Sequence, residues 1–277
     1  MGEAVIIRHT VFSLPFALLA ILLETGGRPP LRPLLLAILA AAAARNAANA
    51  LNRVIDARID ARNPRTAGRH IPAGTLSKKA LLVFSGLMAV IVVIAAALLN
   101  PLCVALLPVA AILIGGYSYT KRFTWLCHYW LGLACSAAPM GAFLALSGRF
   151  EFRYFVLAGA VALWVAGFDI LYALQDIEFD RREGIYSIPA RFGNRSARLL
   201  SALSHLGTAV GLAVLPFFWN LSWIYLGGIV LAVALLAAEH LVVRGGTEKH
   251  VRIASYSINE VIPLVVLAFG AADIYLG

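Results

Sequence analysis

Residues 32–60 read RPLLLAILAAAAARNAANALNRVIDARID. From Leu34 to Ala44 no side chain is polar, and polar groups then recur at Arg45, Asn49, Asn52, Asp56 and Asp60, spaced four, three, four and four apart. That spacing lays the five on one face of a helix. An ionisable stripe on so apolar a helix is costly in lipid and belongs against a protein interior or a wet cavity. The stretch therefore reads as a membrane helix that carries two aspartates to the edge of the bilayer.

The rest of the chain agrees. Of 277 residues 61% are hydrophobic, only 13% are charged, and mean hydropathy is +0.84; a soluble domain carries roughly twice that charged share. Nine apolar stretches stand out, roughly 10–26, 32–52, 78–98, 102–119, 125–147, 152–174, 196–217, 222–243 and 256–275. Most approach the ~20 residues a helix needs to cross a bilayer, and they are too long and uniform for a barrel. The expected fold is all-α: a polytopic membrane protein of nine transmembrane helices around a cytoplasm-facing cavity. The first stretch is short and holds Pro15, yet lacks a small-residue cleavage site, so it reads as a retained helix. No soluble domain interrupts residues 1–277, which form one membrane domain; carboxylate pairs after the second and sixth stretches hint at two related halves, about 1–122 and 123–277.

Formal net charge is +9, but the cations lie between apolar stretches, which speaks for topology rather than nucleic acid. With the N-terminus inside, the inner segments hold eighteen: Arg8, Arg53, Arg58, Arg62, Arg65, Arg69, Lys78, Lys79, Lys121, Arg122, Arg181, Arg182, Arg191, Arg195, Arg198, Arg244, Lys249 and Arg252. The outer segments hold four, Arg28, Arg32, Arg149 and Arg153. This bias places the N-terminus in the cytoplasm, the C-terminus outside, and every unusual polar cluster on the inner face of the cell membrane. Cys103, Cys127 and Cys135 show neither metal-ligand spacing nor a disulfide framework, and the six histidines show no ligand spacing either.

Asp56 and Asp60 repel one another on adjacent turns, and Mg²⁺ with a third oxygen ligand is an economical compensator. The following NPRTAGRHIPAG, 63–74, adds Arg65 and Arg69 just after Arg62, and guanidinium forks suit a polyanion. Arg45 lies deeper, among alanines and asparagines, where an arginine either points into a protein cavity towards an anionic partner or snorkels to the surface. A second constellation, FDILYALQDIEFDRREGIYSIPARFG over 168–193, repeats the device: Asp169, Tyr172, Asp176 and Asp180 are spaced three, four and four, while Glu178 and Glu183 fall off the stripe. A third, GGYSYTKRFT over 115–124, brings Tyr117, Tyr119, Lys121 and Arg122 to the same face. Asn259 and Glu260 in the last stretch read as packing polars or cavity lining.

Paired acids, Mg²⁺, a cationic collar and an apolar cavity together suit a diphosphate head on a hydrocarbon tail. Two metal sites would stabilise the departing diphosphate. If the diphosphate is allylic, the remaining cation must be kept from water until an electron-rich acceptor attacks. Two other classes compete: a transporter, whose ionisable groups would ordinarily lie near midplane, and a CDP-alcohol phosphatidyltransferase-like enzyme, whose acids would sit in one compact motif.

The residues also resemble a known family. N52-R-V-I-D56-A-R-I-D60 resembles the first Asp-rich motif of the UbiA-type intramembrane aromatic prenyltransferases, whose best-known members are the 4-hydroxybenzoate polyprenyltransferases. D176-I-E-F-D180, with Tyr172 before it and Gly184, Ser187 and Phe192-Gly193 behind, is similar to the second, and the two loops at 63–74 and 117–124 are similar to the family's intervening loops. The resemblance covers essentially the whole chain. It implies that Asn52, Asp56, Asp60, Asp176 and Asp180 hold two Mg²⁺ ions bridged by a prenyl diphosphate, whose phosphates Lys121 and a basic residue such as Arg69 contact. It implies that Arg45 faces an aromatic acid acceptor, with Asp169 and Tyr172 positioning it. One departure is Arg53, where the common motif has aspartate; this variant is more similar to the branch associated with futalosine-route menaquinone synthesis, whose acceptor is 1,4-dihydroxy-6-naphthoate. No obligate protein partner is implied; the partners are the diphosphate, the acid and membrane lipid.

Overall fold

The structure, a computed structural model, describes residues 10–245, 250–251 and 253–277. Arg8, Lys249 and Arg252, three of the cations assigned to the inner side, lie outside them. The described chain is helical from end to end. In order come α1 (Thr10–Thr25), α2 (Leu31–Arg62), α3 (Lys78–Leu99), α4 (Pro101–Ala105), α5 (Leu107–Thr120), α6 (Cys127–Ser147) and α7 (Phe152–Tyr172). A 3₁₀ turn (Ala173–Asp176) leads into α8 (Ile177–Glu183), followed by α9 (Ile188–Val214), α10 (Pro216–Trp219), α11 (Trp223–Val243), a π-helical turn (Ile253–Ile258) and α12 (Asn259–Leu276).

The expectation of nine spans is corrected. Among the described residues seven helices are long and apolar enough to cross a membrane: Leu31–Arg62, Lys78–Leu99, Cys127–Ser147, Phe152–Glu183, Ile188–Trp219, Trp223–Val243 and Asn259–Leu276. The two that fall short are α1, with 16 residues, and α5, with 14. At 1.5 Å per residue these reach about 24 and 21 Å, against ~30 Å of hydrocarbon. The reason for the second lies in Pro108. The apolar run 102–119 looks continuous, but a proline has no N–H to give and its ring crowds the preceding turn. The helix ends at Ala105 and restarts at Leu107 with Pro108 in its first turn.

Capping explains most other boundaries. Ser77, Asn100 and Ser187 each accept a hydrogen bond from a backbone N–H of the first turn of α3, α4 and α9. Gly148 and Gly184 end α6 and α8 in the left-handed region. Inside α9, Gly193 takes φ 79° and ψ 172°, a combination essentially reserved for glycine, and breaks the helix one turn after its start.

Neighbouring helices form a closed circuit: α2 packs on α5, α5 on α6, α6 on α7, α7 on α9, α9 on α11, α11 on α12, α12 on α1 and α1 on α2, while α3 lies outside against α2. The densest core gathers Phe16 and Leu19 of α1, Phe143 of α6, Leu157 and Trp164 of α7, Tyr225 of α11 and Val266 of α12. Gly132 lets α6 approach α7 so closely that a Cβ there would collide with the Ala162 carbonyl. Small residues allow such contact where water cannot drive helices together.

The two ends of the bundle differ. One is tied by modest contacts: Glu24 with Arg153 and Tyr154, and Asp273 with the Ser222 and Tyr225 N–H groups. At the other end α2, α5, α7 and α8 converge, and there the sequence's polar clusters meet.

Candidate active site

The α2 stripe survives as read, because the helix runs unbroken ten residues past the apolar stretch that announced it. Asp56 and Asp60 are 2% and 4% exposed. Asp56 receives Lys121 Nζ at 2.7 Å, Arg122 Nη2 at 3.2 Å and Asn52 Nδ2 at 2.7 Å. Ser118 Oγ accepts from the same Asn52 amide at 3.1 Å. Thus Ser118 of α5, with Lys121 and Arg122 just past its end, fixes the first aspartate of the pair. The second is fixed by the loop: Arg69 Nη1 donates to Asp60 Oδ1 at 2.7 Å, and Thr66 Oγ1 donates to the Asp60 carbonyl. Asp60 Oδ2 is buried with no partner.

The second stripe is bent. A 3₁₀ turn interrupts the helix beyond Tyr172, and the four residues do not share one partner. Asp169 meets α6: His128 Nδ1 lies 2.7 Å from its Oδ2, and His128 Nε2 accepts the Ile188 N–H at 3.3 Å. An accepting Nε2 assigns the ring proton to Nδ1, which then donates to Asp169. Tyr172 and Asp176 meet the loop after α2. Asn63 Nδ2 and Arg65 Nε donate to Asp176 Oδ1 at 2.9 and 3.1 Å, Arg65 Nη2 reaches Oδ2, and the same guanidinium hydrogen bonds Tyr172 and stacks 4.7 Å over its ring. Burial alone would lower the Arg65 pKa; the hydrogen bond and charge of Asp176, with Tyr172, raise it above its ordinary value instead. Asp180 turns to α9, where Ser187 Oγ donates to it at 2.7 Å while also capping that helix.

The two acidic segments, 113 residues apart in sequence at Asn63 and Asp176, therefore join at one end of the bundle. Arg62 and Glu183 add an exposed pair at 3.0 Å, and the Tyr186 N–H donates to the Lys121 carbonyl. Glu178 is exposed, as its place off the stripe implied. Arg45 lies deeper on α2. Its Nη1 donates to Cys135 Sγ of α6 at 3.1 Å, a weak partner, and its Nε is buried with none. Tyr117 is half-buried on α5, one residue before Ser118. Asn49 is half-buried on the stripe between Arg45 and Asn52. Asn259 belongs elsewhere: it bridges Trp164 of α7 and Glu239 of α11 in the core.

Four residues at the site escaped the reading of the sequence. Asn63 and Ser118 were legible only as neighbours of the motifs, though Asn63 extends the α2 spacing by three. His128 looked like a buried core histidine, and Cys135 like a small hydrophobe; both are buried, and both touch a site residue.

The donor set is all hard oxygen: carboxylates and one carboxamide. Among the described residues no three acidic, histidine or cysteine groups already converge as a metal cage, because the carboxylates are held by Lys121, Arg122, Arg69 and Arg65. The unpartnered Asp60 Oδ2 is nonetheless what a Mg²⁺ ligand looks like before its ion, so the residues fit that metal.

The sequence pattern of the UbiA prenyltransferase family matches residues 13–259. The 4-hydroxybenzoate octaprenyltransferase of Aliivibrio fischeri is 30% identical over 256 residues, 92% of this chain and 89% of that protein. The apo structure of a UbiA homolog from Aeropyrum pernix superposes with a TM-score of 0.87 at 30% identity, covering 95% of this chain and 97% of the other. A UbiA homolog from Archaeoglobus fulgidus, bound to DMAPP and Mg²⁺, shares the fold at a TM-score of 0.66 and 18% identity over 100% and 99% of the two chains. A membrane-helix bundle whose two aspartate segments meet at one end thus has its relatives among enzymes of one kind: the chain belongs to the UbiA prenyltransferase family, and is an intramembrane prenyltransferase.

Proposed function

We propose that this enzyme transfers a prenyl group from a prenyl diphosphate to a ring carbon of a hydroxylated aromatic acid, 4-hydroxybenzoate or 1,4-dihydroxy-6-naphthoate, in quinone biosynthesis. The observation that carries the reading is the α2 face. It bears a buried, unpartnered guanidinium nitrogen at Arg45 and, three turns on, the aspartate pair at the bundle end. A carboxylate acceptor suits the first and a metal-bound diphosphate the second. The A. fischeri relative, named for 4-hydroxybenzoate, supports the acceptor class.

Asn52, Asp56, Asp60, Asp176 and Asp180 would hold Mg²⁺, as two ions bridged by the diphosphate; when bound, Mg²⁺ neutralises the charge that develops on the leaving group. The A. fulgidus homolog's bound DMAPP and Mg²⁺ support this. The chain's own cations do the complementary work. Lys121, Arg122, Arg69 and Arg65 now neutralise carboxylates; in the loaded enzyme they turn to phosphate oxygens, so each charge exchanges one partner for another. The allylic C–O bond breaks with its electron pair leaving on the diphosphate, the ring carbon bonds the prenyl cation, and the ring then loses a proton. Asp169 and Tyr172 position the acceptor, and the surrounding apolar helices keep water from the cation. The site lies at the cytoplasmic face, with the C-terminus outside, an orientation supported by the crowd of cations at that end.

The test supplies purified enzyme with geranyl diphosphate, Mg²⁺ and each acid in turn, and weighs the product. A prenylated acid with diphosphate release is expected, and Asp56→Asn or Asp176→Asn should cut turnover about a hundredfold or more while leaving a folded protein. No alkylated product from either acid, or full activity in either variant, would refute the assignment.

A further inference from the structure

A second anion site lies on the outer wall of the same bundle end. A cleft of about 510 Å³ opens between α3 and α5, both of which pack on α2. Its walls carry Arg58, Arg62, Lys78 and Arg122, and its floor Val54, Ile55 and Ile59, with Tyr119 at the side. Among the described residues no carboxylate lines it, and neither Arg58 nor Lys78 has an anionic partner. Arg122 stacks 5.4 Å over the Tyr119 ring and donates to the Ile55 carbonyl, which fixes it as part of the cleft wall.

An inward cation bias accounts for basic residues at this edge. It does not account for four of them around one concavity with an apolar floor. Along α3 the position one turn beyond Lys78 is Leu82, exposed, with Val83 beside it; along α5, two turns before Tyr119, Ile112 is exposed as well. The cleft thus stands at the head of a lipid-facing wall. A free anion would need the cations and have no use for that wall, whereas a phospholipid uses both.

We propose that this cleft binds the phosphate headgroup of an anionic membrane phospholipid, with its acyl chains lying along α3 and α5. The proposal does not depend on the acceptor or on the chemistry of the carboxylate site. Arg122 serves both places, since it also reaches Asp56, so the test spares it.

Full-length enzyme would be reconstituted in nanodiscs of phosphatidylcholine with a minority of phosphatidylglycerol, released gently, and its retained lipids counted by native mass spectrometry. The wild-type protein should keep phosphatidylglycerol in preference to phosphatidylcholine. The double variant Arg58→Gln/Lys78→Gln should lose that preference by about thirtyfold, given what each interfacial cation contributes to anionic-lipid attraction. Arg191→Gln/Arg195→Gln, which removes the same charge from exposed positions elsewhere on this end, should keep it. If the double variant fails to fold, Lys78→Gln alone should still lose about fivefold. Equal retention in all proteins overturns the site. Displacement of the lipid by millimolar inorganic phosphate overturns the lipid assignment and leaves a free-anion site.

Discussion

Single residues show how this protein manages charge in a place that tolerates little of it. Arg45 is the clearest case. A guanidinium with a buried unpartnered Nε and only a thiol on Nη1 is an expensive group left incomplete. On the proposed reading the acceptor's carboxylate completes it. Arg45→Ala should then raise the acceptor KM by roughly ten- to a hundredfold, as for a lost hydrogen bond to a charged group, while KM for the diphosphate stays put; steady-state kinetics with each substrate varied would show it, and equal effects on both would refute the role. At this scale the acids and cations of the site were legible, because a charge on an apolar helix announces itself. Their neutral partners were not. Ser118, Asn63 and His128 carry no such signal, and each becomes visible only when another helix presents an aspartate or asparagine to it.

Secondary elements were legible where hydrophobic runs were uniform and failed at two local breaks. One is Pro108, which splits an apolar run into a five-residue and a 14-residue helix and helps remove a span from the expected nine. The other is the 3₁₀ turn at Ala173–Asp176, which no periodicity forecasts; Asp169, Asp176 and Asp180, before, in and after it, have three different partners. Packing between elements supplies a sharper test. Gly132 is the point where α6 touches the α7 backbone, and a methyl there meets the Ala162 carbonyl, which cannot swing aside. Gly132→Ala should cost about 1–3 kcal/mol, the usual range for overpacking. Gly159→Ala, on the same α7 but with open space around it, should be neutral or gain up to about 1 kcal/mol of helix propensity. Thermal unfolding midpoints of the two variants in detergent would separate these outcomes.

For the whole molecule the decisive quantity is which way it sits. The carboxylate end and the Glu24–Arg153 end are opposite faces of the bundle, and the helix α2 that links them is 32 residues long. At about 48 Å it exceeds the ~30 Å of hydrocarbon, so one end projects beyond it. The acids and arginines beyond Asn52 mark the projecting end as that of the site. Arg149 and Arg182 are both largely exposed, at 71% and 67% of the side chain. In a cysteine-free background Arg149→Cys should react with an impermeant maleimide in intact cells, and Arg182→Cys only after the membrane is opened; the reverse pattern would invert the orientation proposed above.

The pairing of Asp56, Asp60 and Asp176 with the protein's own cations has a consequence for what the site admits. Bare carboxylates at a membrane surface would gather calcium, polyamines or any other passing cation, and each such guest would have to be evicted before the next turnover. Here Lys121, Arg69 and Arg65 stand in those places instead. Such pairs open most readily to an arrival that brings negative charge for the cations as well as positive charge for the acids.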